Sequence, residues 1–234
     1  MKTSLRRLSP AFAALVVACA SLPAARADEF RVRAVSAVPG FPRDEVFVHE
    51  PEARSQGQLV EVKNFLNHQA DVIKPRGRVL VFTNKASPDS VGDESCLFGR
   101  VELAADRKSG IFVFLPPADD TTPGRLIDID DGKKQFPVGS VMVVNRSSLP
   151  LRILLAEEEF NFKAGESRAI VKFPEVTGAG APMKASVERD GTWVNVTSAL
   201  CPSPGPKRVL QVAYENAKTK RIEMRGIRDV STVE

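Results

Sequence analysis

A chain of 234 residues with 43% hydrophobic and 26% charged residues has the composition of a packed globular protein rather than a disordered chain. Its 33 lysines and arginines face 29 acids, but Lys2, Arg6, Arg7 and Arg26 all fall in the first 27 residues, which hold no acid. Setting those four aside leaves 29 basic against 29 acidic residues, a balance with no clustered basic footprint for nucleic acid or an anionic membrane.

The N-terminus reads as a secretory signal peptide over residues 1–27. A positive start is followed by the apolar run Ala11–Ala20 and the small-residue exit Ala25-Arg26-Ala27, the three parts of an export leader. The run is too short to span a membrane, which takes about 20 residues. Val16-Val17-Ala18-Cys19 offers a competing lipoprotein-type exit with Cys19 as lipid anchor. The downstream exit and the acidic start Asp28-Glu29 favour soluble export to the periplasm or the exterior instead.

Beyond the leader, short apolar stretches bounded by turn residues recur. Strands are expected at Leu59–Val62, Arg78–Thr83, Ile111–Leu115, Leu126–Ile129, Ser140–Asn145, Leu151–Leu155, Arg168–Phe173, Lys184–Arg189, Thr192–Thr197, Val209–Tyr214 and Arg221–Arg225. These are rich in β-branched residues and largely free of helical periodicity. Asp190-Gly191 between two alternating runs marks a two-residue hairpin. The expected class is all-β, one or two antiparallel β-sandwiches of immunoglobulin-like or cupredoxin-like type with few helices. The polar, Pro-rich segment at 117–124 suggests a linker between an N-terminal β domain (28–116) and a C-terminal sandwich (125–234); a long loop within one fold reads equally from the same letters.

Few residues offer chemistry. His49 and His68 are the two histidines, and no Gly-x-Ser-x-Gly elbow or zinc-type spacing accompanies them. Asp128, Asp130 and Asp131 resemble the opening of a calcium loop, but the spacing is one residue short and Gly139 stands where a bidentate Glu belongs. Asp128, Asp130 and Glu158 are the acids a carboxylate-based hydrolase would use, provided that they converge; Glu157-Glu158-Glu159 reads more simply as an acidic turn. Cys96 and Cys201 could pair in an oxidising compartment or remain separate buried thiols. Trp193 and Tyr214, the single tryptophan and tyrosine, are the possible stacking rings for a glycan. No cofactor-binding pattern is present.

The segments Phe136-Pro137-x-Gly139-Ser140-x4-Asn145-x-Ser147, Lys163-Ala164-Gly165-Glu166 and Asp190-Gly191-x-Trp193 carry a resemblance. In them the chain resembles an uncharacterised family of exported bacterial β-sandwich proteins. The likeness covers about half of the mature chain and implies a fold rather than an activity, with Gly139 and Gly165 in turns and Asn145 and Ser147 capping a strand end. The resulting expectation is a non-enzymatic component of the cell envelope. It would act by contact with another envelope protein, or by self-association, through sheet edges. Glycan binding is the alternative reading.

Overall fold

The structure is a computed structural model and describes residues 29–230 apart from His68, Asp120 and Thr177. The expected leader and Cys19 lie outside the described residues, as does His68. The first part of the chain forms β1 (Phe30–Ser36), β2 (Val46–His49), β3 (Gln58–Val60), β4 (Val62–Lys63), β5 (Asp71–Ile73), β6 (Val79–Thr83), β7 (Leu97–Glu102), β8 (Ser109–Leu115) and β9 (Arg125–Asp130). The second forms β10 (Val141–Arg146), β11 (Leu151–Leu155), β12 (Glu158–Phe162), β13 (Ser167–Ile170), β14 (Gly180–Arg189), β15 (Thr192–Pro202), β16 (Arg208–Glu215) and β17 (Ile222–Asp229). Strands make up 51% and short helical turns 6% of the described residues, so the fold is all-β.

These strands build four sheets. One has the order β4-β1-β8-β9, with β5 also on β1, and a second runs β3-β2-β6-β7. A third runs β13-β10-β16-β17 and a fourth β12-β11-β14-β15. The apolar residues sort by strand face into three clusters that fix the layering. Phe30, Val32, Phe112 and Phe114 meet Val48, Leu80, Phe82 and Phe98 between the first and second sheets. Val141, Val143, Val209 and Ala213 meet Leu151, Ile153, Ala185 and Val187 between the third and fourth. The opposite faces of the first and third sheets then close on one another through Val35, Ile111, Val113, Ile127, Met142, Val144, Leu210 and Val212. The layers therefore stack second, first, third, fourth. Two sandwiches share an apolar junction.

This layering explains the unbroken apolar letters of Ile111–Leu115 and Val141–Val144, and the run Val209–Tyr214, which the buried Gln211 alone interrupts. Strands buried on both faces have no polar face to alternate with. The outer strands do alternate, as in β11, where Leu151, Ile153 and Leu155 are buried and Leu154 is exposed.

Several expectations need correction. The sheets are not purely antiparallel: β1 runs parallel to both β4 and β8, and β10 runs parallel to β16. The segment at 117–124 does not separate the two sandwiches. It lies in the connection of the β8–β9 hairpin, whose register runs from Gly110↔Asp130 to Leu115↔Arg125. The chain changes sandwich only after Asp130. The stretch Leu59–Val62 is broken at Glu61, sending β3 to the second sheet and β4 to the first. Pro182 sits inside β14. Its carbonyl accepts from Ala156 N, so its nitrogen faces the same side, beyond the last β11 register pair Leu155↔Met183, where no ladder donor is required.

The Asp190-Gly191 turn forms as expected. Both residues have positive φ, 52° and 74°, and join β14 to β15 with Arg189↔Thr192 as the closing pair. Gly139 and Gly165 likewise have positive φ. Asn145 Nδ2 donates to the carbonyls of Leu149 and Lys163, and Ser147 Oγ donates to Asn145 Oδ1 at 2.7 Å. The side chains thus cap the end of β10.

Phe112 is fully buried and its ring centroid lies 4.6 Å from that of Phe82. Phe112→Ala should lower the unfolding free energy by about 3–5 kcal/mol, read as a shifted midpoint in chemical denaturation.

Candidate functional site

The residues singled out for chemistry are dispersed. Asp128 receives both terminal nitrogens of Arg107, at 2.5 and 2.6 Å. Asp130 accepts from Gly132 N at 2.8 Å, and Asp131 is bound to Arg33 and Arg208. The three acids therefore face three different partners, which corrects the calcium-loop reading. Among the described residues, no three His, Cys, Asp or Glu side chains gather as a metal-binding group. Glu158 lies on β12 in the fourth sheet, whereas Asp128 and Asp130 lie on β9 in the first. Those carboxylates do not form a converging pair.

Cys96 and Cys201 are separate, buried, free thiols, which corrects the possible bridge. Cys201 packs in the core of the second sandwich, and burial pushes its thiol up to about 11. Of the two expected stacking rings, Tyr214 is 4% exposed, and its hydroxyl donates to Glu223 Oε2 at 2.9 Å. Burial and the Glu223 carboxylate push the phenol up to about 12. Trp193 is half-buried with the Arg152 guanidinium 3.8 Å from its ring centroid. One face of the indole is already covered, so the pair does not form a two-ring platform.

His49 is buried. Its Nε2 lies 2.9 Å from Thr83 Oγ1 and 3.0 Å from the Lys85 carbonyl. Thr83 Oγ1 itself donates to that carbonyl, so Nε2 carries the proton and Nδ1 is left without a partner in hydrogen-bonding geometry. The ring packs on Gly57, where an added Cβ would stand 2.6 Å from Cε1 and Nε2. Burial lowers the imidazole pKa, opposed in part by the Lys85 and Ser55 carbonyls.

Sequence reading missed the largest polar constellation. Arg33 on β1, Asp131 after β9, Arg208 on β16 and Asp229 on β17 meet at the junction of the two sandwiches. Arg33 Nη2 reaches Asp131 Oδ1 at 2.6 Å and Asp229 Oδ2 at 3.0 Å. Arg208 Nη2 reaches Asp131 Oδ1 and Asp229 Oδ2, each at 2.7 Å. Two cations and two anions cancel. Arg208 also donates to the Phe136 carbonyl and lies 4.4 Å over the Phe136 ring. Burial opposes the charge on Arg33, but Asp229 and Asp131 together more than offset it and raise its pKa. Buried pairs of this kind bring little net stability relative to an apolar core, yet removing one member strands a buried charge. The signal available in sequence was weak: Phe-Arg-Val-Arg-Ala-Val at 30–35 alternates like an amphipathic strand, although Arg33 is buried along with the valines beside it.

An exposed surface remains at the second sandwich. β15 and β17 are edge strands of the fourth and third sheets, and no ladder joins them among the described residues. The gap between them is a groove of about 220 Å³ bordered by Met183, Leu200, Met224 and Ile227. The eleven residues of β15, Thr-Trp-Val-Asn-Val-Thr-Ser-Ala-Leu-Cys-Pro, hold no charge. Leu200 is 59% and Val194 47% exposed. Among the described residues no helix is long and apolar enough to cross a membrane.

No protein-family model matches the sequence, and a search of curated proteins returns no match. The arrangement of residues is therefore the ground for any functional reading.

Asp229→Asn should destabilise the fold by about 3–5 kcal/mol, measured by denaturant unfolding, because Arg33 and Arg208 lose a shared counter-charge. Neutral His49 in the fold means that the unfolded chain binds more protons below about pH 6.5. Stability should be fully present above that pH and decline as pH falls through the lowered folded pKa; the decline should be shallower in His49→Gln, measured by thermal midpoint against pH.

Proposed function

We propose that this is an exported, non-enzymatic protein of the cell envelope that works by protein–protein contact, as an accessory or assembly component. The observation that carries this reading is the seam between β15 and β17. Two edge strands lie side by side without a joining ladder, and the longer one lacks the charges that ordinarily keep an exposed edge from pairing. An extended segment of a partner gains backbone hydrogen bonds at such an edge and seats alternate side chains in the adjoining groove. Val194 and Leu200 supply apolar surface along the same strand.

Export is supported by the leader-like N-terminal letters. The resemblance of the second half to exported β-sandwich proteins agrees with it. The dispersal of Asp128, Asp130 and Glu158, and the burial of Tyr214, make the hydrolase and glycan readings weaker than contact through strands.

The test is crosslinking in cells, with the chain and the double variant Val194→Lys/Leu200→Lys compared by mass spectrometry. Both substitutions are on exposed positions and should change stability by about 0.5 kcal/mol or less. The expected outcome is a stoichiometric partner, either an envelope protein or a second copy, that is lost in the variant at unchanged thermal midpoint. A chain recovered alone at monomer mass would overturn the reading.

A further inference from the structure

The face of β17 that looks toward the first sandwich carries Glu223, Arg225 and Ile227, opposite Tyr214, Val212 and Leu210 of β16. Ile227 is covered by the junction core. Nearer the start of β17 the junction opens into a cleft of about 540 Å³, bordered by Val38 and Pro39 beyond β1, by Val196 of β15, and by Arg221, Met224 and Arg225. Two cations, Arg221 and Arg225, and one acid, Glu223, thus line one opening between the sandwiches.

Arg225 is the unusual member. It is half-buried, and its Nε is enclosed with no hydrogen-bond partner. Among the described residues its guanidinium makes no ion pair or hydrogen bond. The nearest candidate acid on the same strand face is Glu223, and that carboxylate is engaged elsewhere. Its Oε2 accepts from the Tyr214 hydroxyl at 2.9 Å and its Oε1 from Asn216 Nδ2 at 2.7 Å. Glu223 is therefore held away from Arg225 by two neutral donors. The contrast with Arg33, Arg107 and Arg208, each of which meets carboxylates in short bonds, is sharp. The enclosed Nε is shut off from an incoming ligand, whereas the terminal nitrogens of Arg225 are neither enclosed nor hydrogen-bonded and the residue borders the cleft. A planar guanidinium offers such a pair of donors to a carboxylate in two parallel bonds.

We infer that this cleft is a carboxylate-binding site anchored by Arg225, with Arg221 at its rim, and that it receives an acidic group of a partner polypeptide. The inference rests on the strand-edge reading above and specifies the partner's chemistry. Val196 and Met224 border the cleft, and Met224 also borders the groove between β15 and β17, so one extended peptide at the seam can place a carboxylate on Arg225. The apolar lining from Val38, Pro39, Val196 and Met224 suits a peptide stem. The carboxylate can belong to a chain terminus or to an Asp or Glu side chain.

The test tracks the Nε–H resonance of Arg225 by proton–nitrogen NMR in the ¹⁵N-labelled protein. Three probes are titrated: acetyl-Thr-Val-Thr-Val-Ala with a free C-terminus, the same peptide amidated, and the amidated peptide acetyl-Thr-Val-Asp-Val-Ala. Inorganic phosphate is the fourth. A saturable shift with the first or third peptide, absent with the neutral amide, supports the site and tells terminal from side-chain carboxylate. Arg225→Gln should weaken that binding at least about tenfold, at unchanged far-ultraviolet circular dichroism. Equal binding of the neutral amide, tighter binding of phosphate than of either acid, or no saturable shift with any peptide would overturn the inference. The comparison of acid with amide needs no variant and stands even if Arg225→Gln fails to fold. A flat titration beside crosslinking that still depends on Val194 and Leu200 removes the carboxylate site and leaves the strand-edge reading. Crosslinking that ignores those residues, beside a saturable acid titration, does the reverse.

Discussion

The relative placement of the two sandwiches depends on the four charges buried where they meet. Arg33, Asp131, Arg208 and Asp229 come from the first sheet, the end of that sheet, and two strands of the third. An apolar junction alone tolerates sliding, because dispersion and burial are non-directional. Bonds of 2.6–3.1 Å between guanidinium forks and carboxylates do not. The quartet therefore acts as a register pin, and the apolar residues around it, Val35, Ile111, Leu210 and Ile227, supply the driving force. Phe136 links the two effects. It is wholly buried in the junction core, and Arg208 lies across its ring.

Strand content was legible in the sequence wherever β-branched, aromatic and other apolar residues clustered in a short run, as in β8, β10 and β16. The Asp190-Gly191 turn was legible too, because a two-residue hairpin demands positive φ from both residues. What escaped were β1, β2, β5, β7 and β12, for reasons that differ. β1 presents arginines at 31 and 33, one exposed and one buried, and nothing local distinguishes them. Only the acids brought in from positions 131 and 229 do so. β2 and β5 are four and three residues long, too short to show a period. In β7, Gly99 lies against Leu126 of the neighbouring sheet, where a side chain would not fit, so a residue that weakens a strand in isolation is required by packing. The linker reading of 117–124 failed on the same ground. Its composition describes a turn, and a turn within a hairpin is spelled like a turn between domains.

Candidate chemistry was less legible still. Asp128, Asp130 and Asp131 stand close in sequence, and the first two share a face of β9, but Arg107 takes Asp128, the Gly132 amide takes Asp130, and Asp131, past the end of the strand, turns to the junction. The residue that stands out in the fold, Arg225, has an ordinary strand context in sequence. Its distinction is a relation: the acid two residues before it is held by Tyr214 and Asn216, and the cleft beside it stays open. Seam and cleft share β17, so one strand serves both the junction core through Ile227 and the surface through Met224 and Arg225.

The pin between the sandwiches also joins the two extremities of the described chain. Arg33 lies on the first strand and Asp229 on the last, 196 residues apart, and the hydrogen bond between them cannot form until the final strand has been laid down. A chain ending short of β17 would hold Arg33 and Arg208 with half of their counter-charge and an uncovered flank on β16. Closing the junction is thereby made conditional on β17: a chain cut before it leaves the arginines of β1 and β16 short of counter-charge, and that region opens at lower free energy than the rest of the fold.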